Sequence, residues 1–199
     1  MDEPYPPNLP VVGACRLCNE GFSADEEYVA CLIDSVIGGS ATPASVGREK
    51  VRRILSQKPA LTARLAGAYR EVDRTGRFGV EVDRVRNVVL KLARGHALFE
   101  LNEPQFRPPE HVRFVPLSLL ARNIRDRFEQ PPEGSLWPEI GSRAMQRLVA
   151  APDNQPEWVI VQAGRYRYLA SADHDVVVRM VLSEYLACEV VWRGLPPSV

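Results

Sequence analysis

The chain has 199 residues, a length that allows one domain, or a small module plus one domain. Its formal net charge is zero. A neutral chain has no overall field that would draw it onto nucleic acid or a membrane, and a nucleic-acid contact would need a local basic patch. Hydrophobic residues make up 45% and charged residues 25%, as in soluble globular proteins. We find no secretory leader, bilayer-length apolar run or disulfide framework, and therefore expect a cytoplasmic protein with reduced thiols and no membrane partner.

The first predicted helix is bounded by two local signals. Ser23 and Glu26 have the spacing of a capping box, and Gly38-Gly39 is a stop signal. These signals predict a helix from about Ala24 to Ile37. Cys31 falls on its apolar side, which favours a small core residue over a metal ligand.

Two shorter helices and a turn are predicted next. Thr42-Pro43 is a helix start, and that helix should reach Ser56. Pro59 should begin another helix, which ends near Val72. Residues 73–79, DRTGRFG, are predicted to form a turn or short hairpin.

A long helix from about Glu81 to Leu101 has the clearest amphipathic pattern of the chain. Its apolar positions recur at spacings of three and four, and they are Val82, Val85, Val89, Leu92, His96 and Phe99. His96 on this seam is expected to be a core histidine. The alternative, in which His96, Cys188 and His111 help to complete a site around Cys15 and Cys18, has no support in the sequence beyond the availability of these residues.

The opposite side of this helix carries Arg84, Lys91 and Arg94, with Asn87 between them. Cations along one side of a helix can follow a phosphate backbone, so the three basic residues are candidates for nucleic-acid binding. The alternative is an ordinary solvated helix face.

The remainder of the chain changes character twice. Residues 102–155 are rich in proline and should contain two short helices, in PLSLLARNIRDRFEQ and PEIGSRAMQRLVA. The C-terminal stretch has strand composition on both sides of Ala163-Gly164 and over two further segments, which predicts a four-stranded antiparallel meander. The predicted class is α+β, with regions at 1–37, 38–103 and 104–199.

Cys15 and Cys18 form the single Cys-x-x-Cys motif of the chain. Two thiolates at this spacing make one edge of a zinc tetrahedron, but a closed structural site needs two more nitrogen or sulfur ligands. The sequence offers no second Cys-x-x-Cys and no His-x₃₋₅-His. Half of a zinc site, a plain pair of thiols and a redox pair all remain open. A redox pair would require the motif at a helix N-terminus, and the predicted helix starts too late for that.

The segment PPNLPVVGACRLCNEGFSADEEY resembles a group of uncharacterised bacterial HNH-endonuclease-like proteins of the ββα-metal type. A weaker likeness extends into KLARGHALFE, GRYRYLAS and SEYLACEVVW. The resemblance implies that Cys15 and Cys18 are the downstream zinc ligands. It also implies that Asn8 braces the loop between two strands and that Asn19 approaches a catalytic metal.

The chain departs from that family at its start. In the family, the general-base histidine, the first catalytic-metal ligand and the other zinc pair all precede this segment, whereas only MDEPYPP precedes Asn8 here. We therefore expect either that translation begins upstream or that nuclease chemistry has been lost. We expect that zinc could bind only at an incomplete site, and that magnesium does not bind.

Two functional hypotheses follow from the sequence. The resemblance implies a nucleic-acid-related, HNH-like protein that is catalytically incomplete as written, and it leaves open whether the chain is an enzyme. The alternative is a non-catalytic module, without metal, that binds a protein partner through its sheet or its proline-rich segment.

Overall fold

The computed structural model describes residues 3–7, 9–72, 75–132, 138–151 and 156–194. The fold belongs to the α+β class, as predicted, and the chain divides into two compact units. The first unit holds Ala14–Val88, and the second holds Val89 onward together with Tyr5–Gly13. The boundary falls within helix α4 (Val82–Leu101).

The first unit is mainly helical. It consists of α1 (Arg16–Ile37), a 3₁₀ turn (Pro43–Ser45), α2 (Glu49–Gln57), α3 (Pro59–Ala68), a hairpin of β1 (Tyr69–Val72) and β2 (Thr75–Phe78), and the start of α4. Its helices bury one apolar face each, and this core includes Tyr28, Leu32, Val51, Leu55, Leu65 and Val85. Cys31 is fully buried among them, which confirms its prediction as a core residue, and burial raises the pKa of its thiol to about 12.

Helix α1 begins earlier than predicted. It starts at Arg16, so Ser23 lies inside the helix, and the predicted start at Ala24 is wrong. No proline between Pro10 and Pro43 interrupts the helical turns before Ser23. The helix therefore extends through Ser23, and the capping-box spacing does not mark its start. The predicted end at Ile37 is confirmed, and Gly39 adopts the left-handed φ of +68° that a glycine terminator supplies.

The next two helices are shorter than predicted. Thr42-Pro43 starts only a 3₁₀ turn, because extended backbone at Val46 separates this turn from α2. Helix α3 stops at Ala68, since Tyr69–Val72 pairs with Thr75–Phe78 as a strand. The predicted hairpin at 73–79 therefore begins earlier in the chain, and residues 73 and 74 lie outside the described ranges.

The second unit is built on a five-stranded antiparallel sheet. Its strands are β3 (His111–Pro116), β4 (Val159–Gln162), β5 (Tyr166–Ala172), β6 (Asp175–Leu182) and β7 (Leu186–Arg193), in the spatial order β3-β7-β6-β5-β4. The last four strands form the predicted meander. Strand β3 was not predicted; it comes from the proline-rich segment and pairs with β7, with Phe114 opposite Cys188.

Helices cover both faces of this sheet. On one face, here called the α4 face, His96 of α4 stacks on Tyr168. On the other, the α5 face, Phe128 of α5 (Arg122–Glu129) packs with Val181 and Ala187. A third helix, α6 (Arg143–Ala150), lies beside α4, where Arg143 donates to the carbonyl of Phe99 at 3.0 Å. No helix within the described ranges is both long and apolar enough to cross a bilayer.

Candidate functional site

The Cys-x-x-Cys motif lies at the start of a helix and not in a loop before it. Cys15 is exposed and immediately precedes α1, and its carbonyl oxygen accepts from the backbone N–H of Asn19 at 3.0 Å. Cys18 belongs to the first turn of α1, but its side chain is outside the described part of the chain, as is Asn8. A redox pair requires the motif at a helix N-terminus, and the motif of this chain lies at one. The late helix start predicted from the sequence therefore no longer argues against a redox pair. In the described ranges, no three His, Cys, Asp or Glu side chains form a group that could hold a metal ion.

The nucleic-acid-binding candidates of α4 fall in different units, and Arg84 in the first unit is already ion-paired. Arg84 is ion-paired with Asp25 at 3.3 Å and Glu81 at 2.9 Å, and it lies 5.4 Å from the centre of the Tyr28 ring. Asn87 donates to the same Asp25 carboxylate at 3.1 Å. These contacts give Arg84 and Asn87 a role in holding α1 against α4.

The other two candidates, Lys91 and Arg94, lie in the second unit. Arg94 donates to the carbonyl oxygen of Arg107 at 3.5 Å, and Lys91 is half-buried. Neither position resembles an open row of cations. Nucleic-acid binding by Arg84, Lys91 and Arg94 stays a prediction, and so does its alternative, a solvated helix face.

His96 is a core histidine, as its place on the apolar seam predicts. Its ring is 4% exposed and stacks on Tyr168 with the ring centres 3.7 Å apart. Its Nε2 atom shares a hydrogen bond with the hydroxyl of Tyr166. Burial lowers the pKa of His96 to about 3, so the ring is neutral at physiological pH.

The structure does not bring His96, Cys188 and His111 together. Cys188 is buried on the α4 face, where burial raises the pKa of its thiol. His111 alternates onto the α5 face, with its Nε2 atom 3.4 Å from the carboxylate of Glu189. His111 and Cys188 are therefore separated by the thickness of the sheet.

The buried histidine gives a prediction for stability against pH. Because unfolded His96 takes up a proton near pH 6.5 and the folded ring only near pH 3, the stability from the neutral ring is lost as pH falls below 6.5. Between pH 7.5 and pH 5 this residue should lower the free energy of unfolding by about 2 kcal/mol.

Urea denaturation at several pH values across that window tests this prediction. His96→Phe keeps an aromatic ring against Tyr168 and should remove this part of the pH dependence. His174→Gln is the control, since His174 is exposed in the turn between β5 and β6. An unchanged slope in the His96→Phe protein would show that His96 does not carry the effect.

A second buried group, Glu100, lies one turn further along α4. Its side chain is 2% exposed, and one carboxylate oxygen accepts from the hydroxyl of Tyr168 while the other accepts from Arg147 of α6. Burial and the neighbouring carboxylate raise the pKa of Tyr168, which keeps the hydroxyl protonated as a donor. The arginine side chain is 46% exposed, so a buried negative charge is balanced by a cation that also reaches the surface.

A cleft of about 390 Å³ opens beside this ion pair. It lies between α6, the start of β4 and the α4 face of β5, and its apolar wall includes Leu148, Val159, Ala170 and Ala172. The indole of Trp158 lies on the opposite, α5 face of the sheet, where it packs on Phe128 and its Nε1 atom donates to the carbonyl of Glu129 at 2.8 Å. The cleft itself combines an apolar wall with one arginine, Arg147, which a buried carboxylate positions.

Sequence reasoning missed every polar member of this site. The buried face of α4 is rotated from the predicted seam toward Val88, Ala93, Ala97 and Glu100. The spacing of Ala93, Ala97 and Glu100 is a signal for that face, since small residues three to four apart allow close packing and place the glutamate in line with them. Arg147 and Tyr168 are far from Glu100 in sequence, so no local pattern could join them.

Comparison with known proteins found no match to this chain among family models, curated proteins or solved structures. The HNH-like resemblance therefore stays a prediction.

Proposed function

We propose that the second unit is a non-catalytic binding module, and that its ligand enters the cleft with a carboxylate directed at Arg147. The observation that supports this proposal is the position of Arg147, which is anchored to a buried carboxylate and also lines an open cleft. A concave site with apolar walls and a few fixed polar groups is the usual form of a small-ligand site.

The choice of a carboxylate follows from the donors of Arg147. A guanidinium has five N–H donors in a planar fork, and the ion pair with Glu100 uses the Nη1 group. The remaining donors suit an acceptor with two oxygens, and carboxylates bind such a fork with two parallel hydrogen bonds. Glu100 also lines the cleft, but its side chain is 2% exposed and its charge is paired with Arg147, and so its role is to orient the arginine.

The rest of the ligand should be apolar. Leu148, Val159, Ala170 and Ala172 present hydrocarbon to the cleft. Burial of an apolar body against these side chains would supply most of the binding energy, and the arginine would fix the orientation. A medium-chain fatty acid and a peptide that ends in an apolar residue both have this chemistry.

Two matched substitutions on α6 test the proposal. Ala150→Trp places a large ring at the mouth of the cleft, whereas Val149→Trp places the same ring at an exposed position that does not line it. We expect octanoate to bind the wild-type and Val149→Trp proteins, and to bind the Ala150→Trp protein at least about tenfold more weakly. Isothermal titration calorimetry gives both affinities.

Octanol and a C-terminally amidated peptide provide the chemical controls. Octanol should bind about tenfold more weakly than octanoate, because it lacks the second oxygen for Arg147. A peptide acid that binds while its amide does not would identify a peptide terminus as the source of the carboxylate. Failure of both octanoate and peptide acids to bind at about 10 mM would contradict the proposal.

The HNH-like hypothesis has its own test. If Cys15 and Cys18 are zinc ligands, the purified chain should carry zinc at one equivalent per monomer, and replacement of both by Ser should remove it. A metal-free and stable wild-type chain would favour the binding module.

A further inference from the structure

A second concave site, independent of the cleft, lies on the α5 face of the sheet. It is a groove of about 180 Å³ between α5 and strands β3, β7 and β6. Three arginines line it, namely Arg113 from β3, Arg127 from α5 and Arg179 from β6, and the one carboxylate lining it is that of Glu189 from β7.

The inner part of the groove, formed by Arg179 and Glu189, is electrically balanced. Glu189 lies between Arg113 and Arg179 on three neighbouring strands, and it is ion-paired with Arg179 at 2.8 Å. Arg179 also donates to the carbonyls of Arg127, Phe128 and Gln130, at 3.1, 3.2 and 2.6 Å, at the C-terminal end of α5. The guanidinium of Arg179 therefore neutralises the Glu189 carboxylate and satisfies the carbonyl oxygens at the end of α5, both of which would otherwise repel an anion.

The two outer arginines are uncompensated. Arg113 and Arg127 are exposed, and neither forms an ion pair with any residue in the described ranges. They come from different elements, a strand and a helix, and both line the groove. Two positive charges around a small concave space attract an anion, and two guanidinium forks bind tetrahedral oxyanions well.

We propose that this groove binds the phosphate monoester group of a phosphorylated ligand. A phosphate monoester carries a charge of about −1.5 to −2 at neutral pH, which matches the two uncompensated arginines. A backbone phosphodiester carries a single negative charge and would leave one arginine unbalanced. The groove is small enough to take the phosphate group alone, with the rest of the ligand lying over the exposed Ile124.

Binding of phenyl phosphate, measured by calorimetry at low salt, tests this proposal. We expect Arg113→Met and Arg127→Met each to weaken binding by about tenfold, because each removes one charged partner. Arg122→Met is the control, since Arg122 is exposed on the same helix and does not line the groove. Thermal melting of the three variants shows whether each one folds.

Binding of further phosphate ligands shows whether the groove prefers a phosphate monoester or a nucleic-acid backbone. Phenyl phosphate and a nucleoside monophosphate should both bind, and a single-stranded oligonucleotide without a terminal phosphate should bind more weakly per phosphate. An oligonucleotide that binds more tightly than phenyl phosphate and depends on Arg113 and Arg127 would overturn the monoester proposal in favour of a nucleic-acid backbone. Equal binding to the folded Arg113→Met, Arg127→Met and Arg122→Met proteins, or no binding by wild type at about 10 mM, would overturn it altogether.

Discussion

Replacement of Arg147 with Met is expected to lower the free energy of unfolding by about 3 kcal/mol, at the lower end of the range for breaking a buried ion pair. The loss arises from Glu100, whose carboxylate is 2% exposed and would keep only the hydroxyl of Tyr168 as a partner. We place the effect at the lower end because the arginine side chain is 46% exposed, and water can follow it into the space it leaves. Urea denaturation at pH 7.5 measures the change.

A double-mutant cycle separates the ion pair from simple packing. Glu100→Gln removes the charge and can still accept from Tyr168, so the Glu100→Gln/Arg147→Met protein should be more stable than Arg147→Met alone. Arg143→Met is the matched control on α6, since Arg143 stacks on the Phe99 ring at 4.0 Å and has no buried carboxylate to neutralise. A loss in Arg147→Met no greater than in Arg143→Met would show that the buried charge is not what Arg147 stabilises.

The sequence could predict those elements whose signals are local. The apolar period of α4, the Gly38-Gly39 stop and the strand composition around Ala163-Gly164 each lie within a few residues of the feature they specify. Strand β3 has only a short signal, the alternation of polar and apolar residues over His111–Phe114. It follows Pro109 and ends in Pro116, so its proline-rich surroundings obscure that signal, and its pairing with β7 makes it a strand.

The candidate sites depend on long-range neighbours, and for that reason they could not be predicted. Glu100 and Tyr168 are 68 residues apart, and Arg147 is 47 residues from Glu100. The same holds for Arg113, Glu189 and Arg179, which become neighbours only through the register of three strands. His96 belongs to the core and to neither site, and its place could be predicted because a histidine on an apolar seam can be judged from its own helix.

Arg179, the buried arginine on the α5 face, should be as important to stability as Arg147. Arg179 is 8% exposed and donates to Glu189 and to three carbonyl oxygens at the end of α5, so it fastens that helix to the sheet. Arg179→Met should lower the free energy of unfolding by about 3 kcal/mol, since it leaves a partly buried carboxylate and several carbonyls without their donor. Arg179→Lys should recover only part of this loss, because an ammonium group cannot reproduce the planar fork that reaches both sets of acceptors.

Arg193→Met is the matched control for this prediction, since Arg193 ends a strand of the same sheet, is 72% exposed and pairs with Glu110 at 3.0 Å. An exposed pair of that kind contributes about 0.5 kcal/mol, and its loss should leave α5 undisturbed. Hydrogen exchange distinguishes a local effect from a global one. In the Arg179→Met protein the amides of α5 should exchange faster than those of β6 and β7, because the helix loses its attachment while the strands keep their ladder hydrogen bonds. If α5 stays as protected as the strands, then Phe128 and its apolar neighbours hold the helix on the sheet, and the arginine does not.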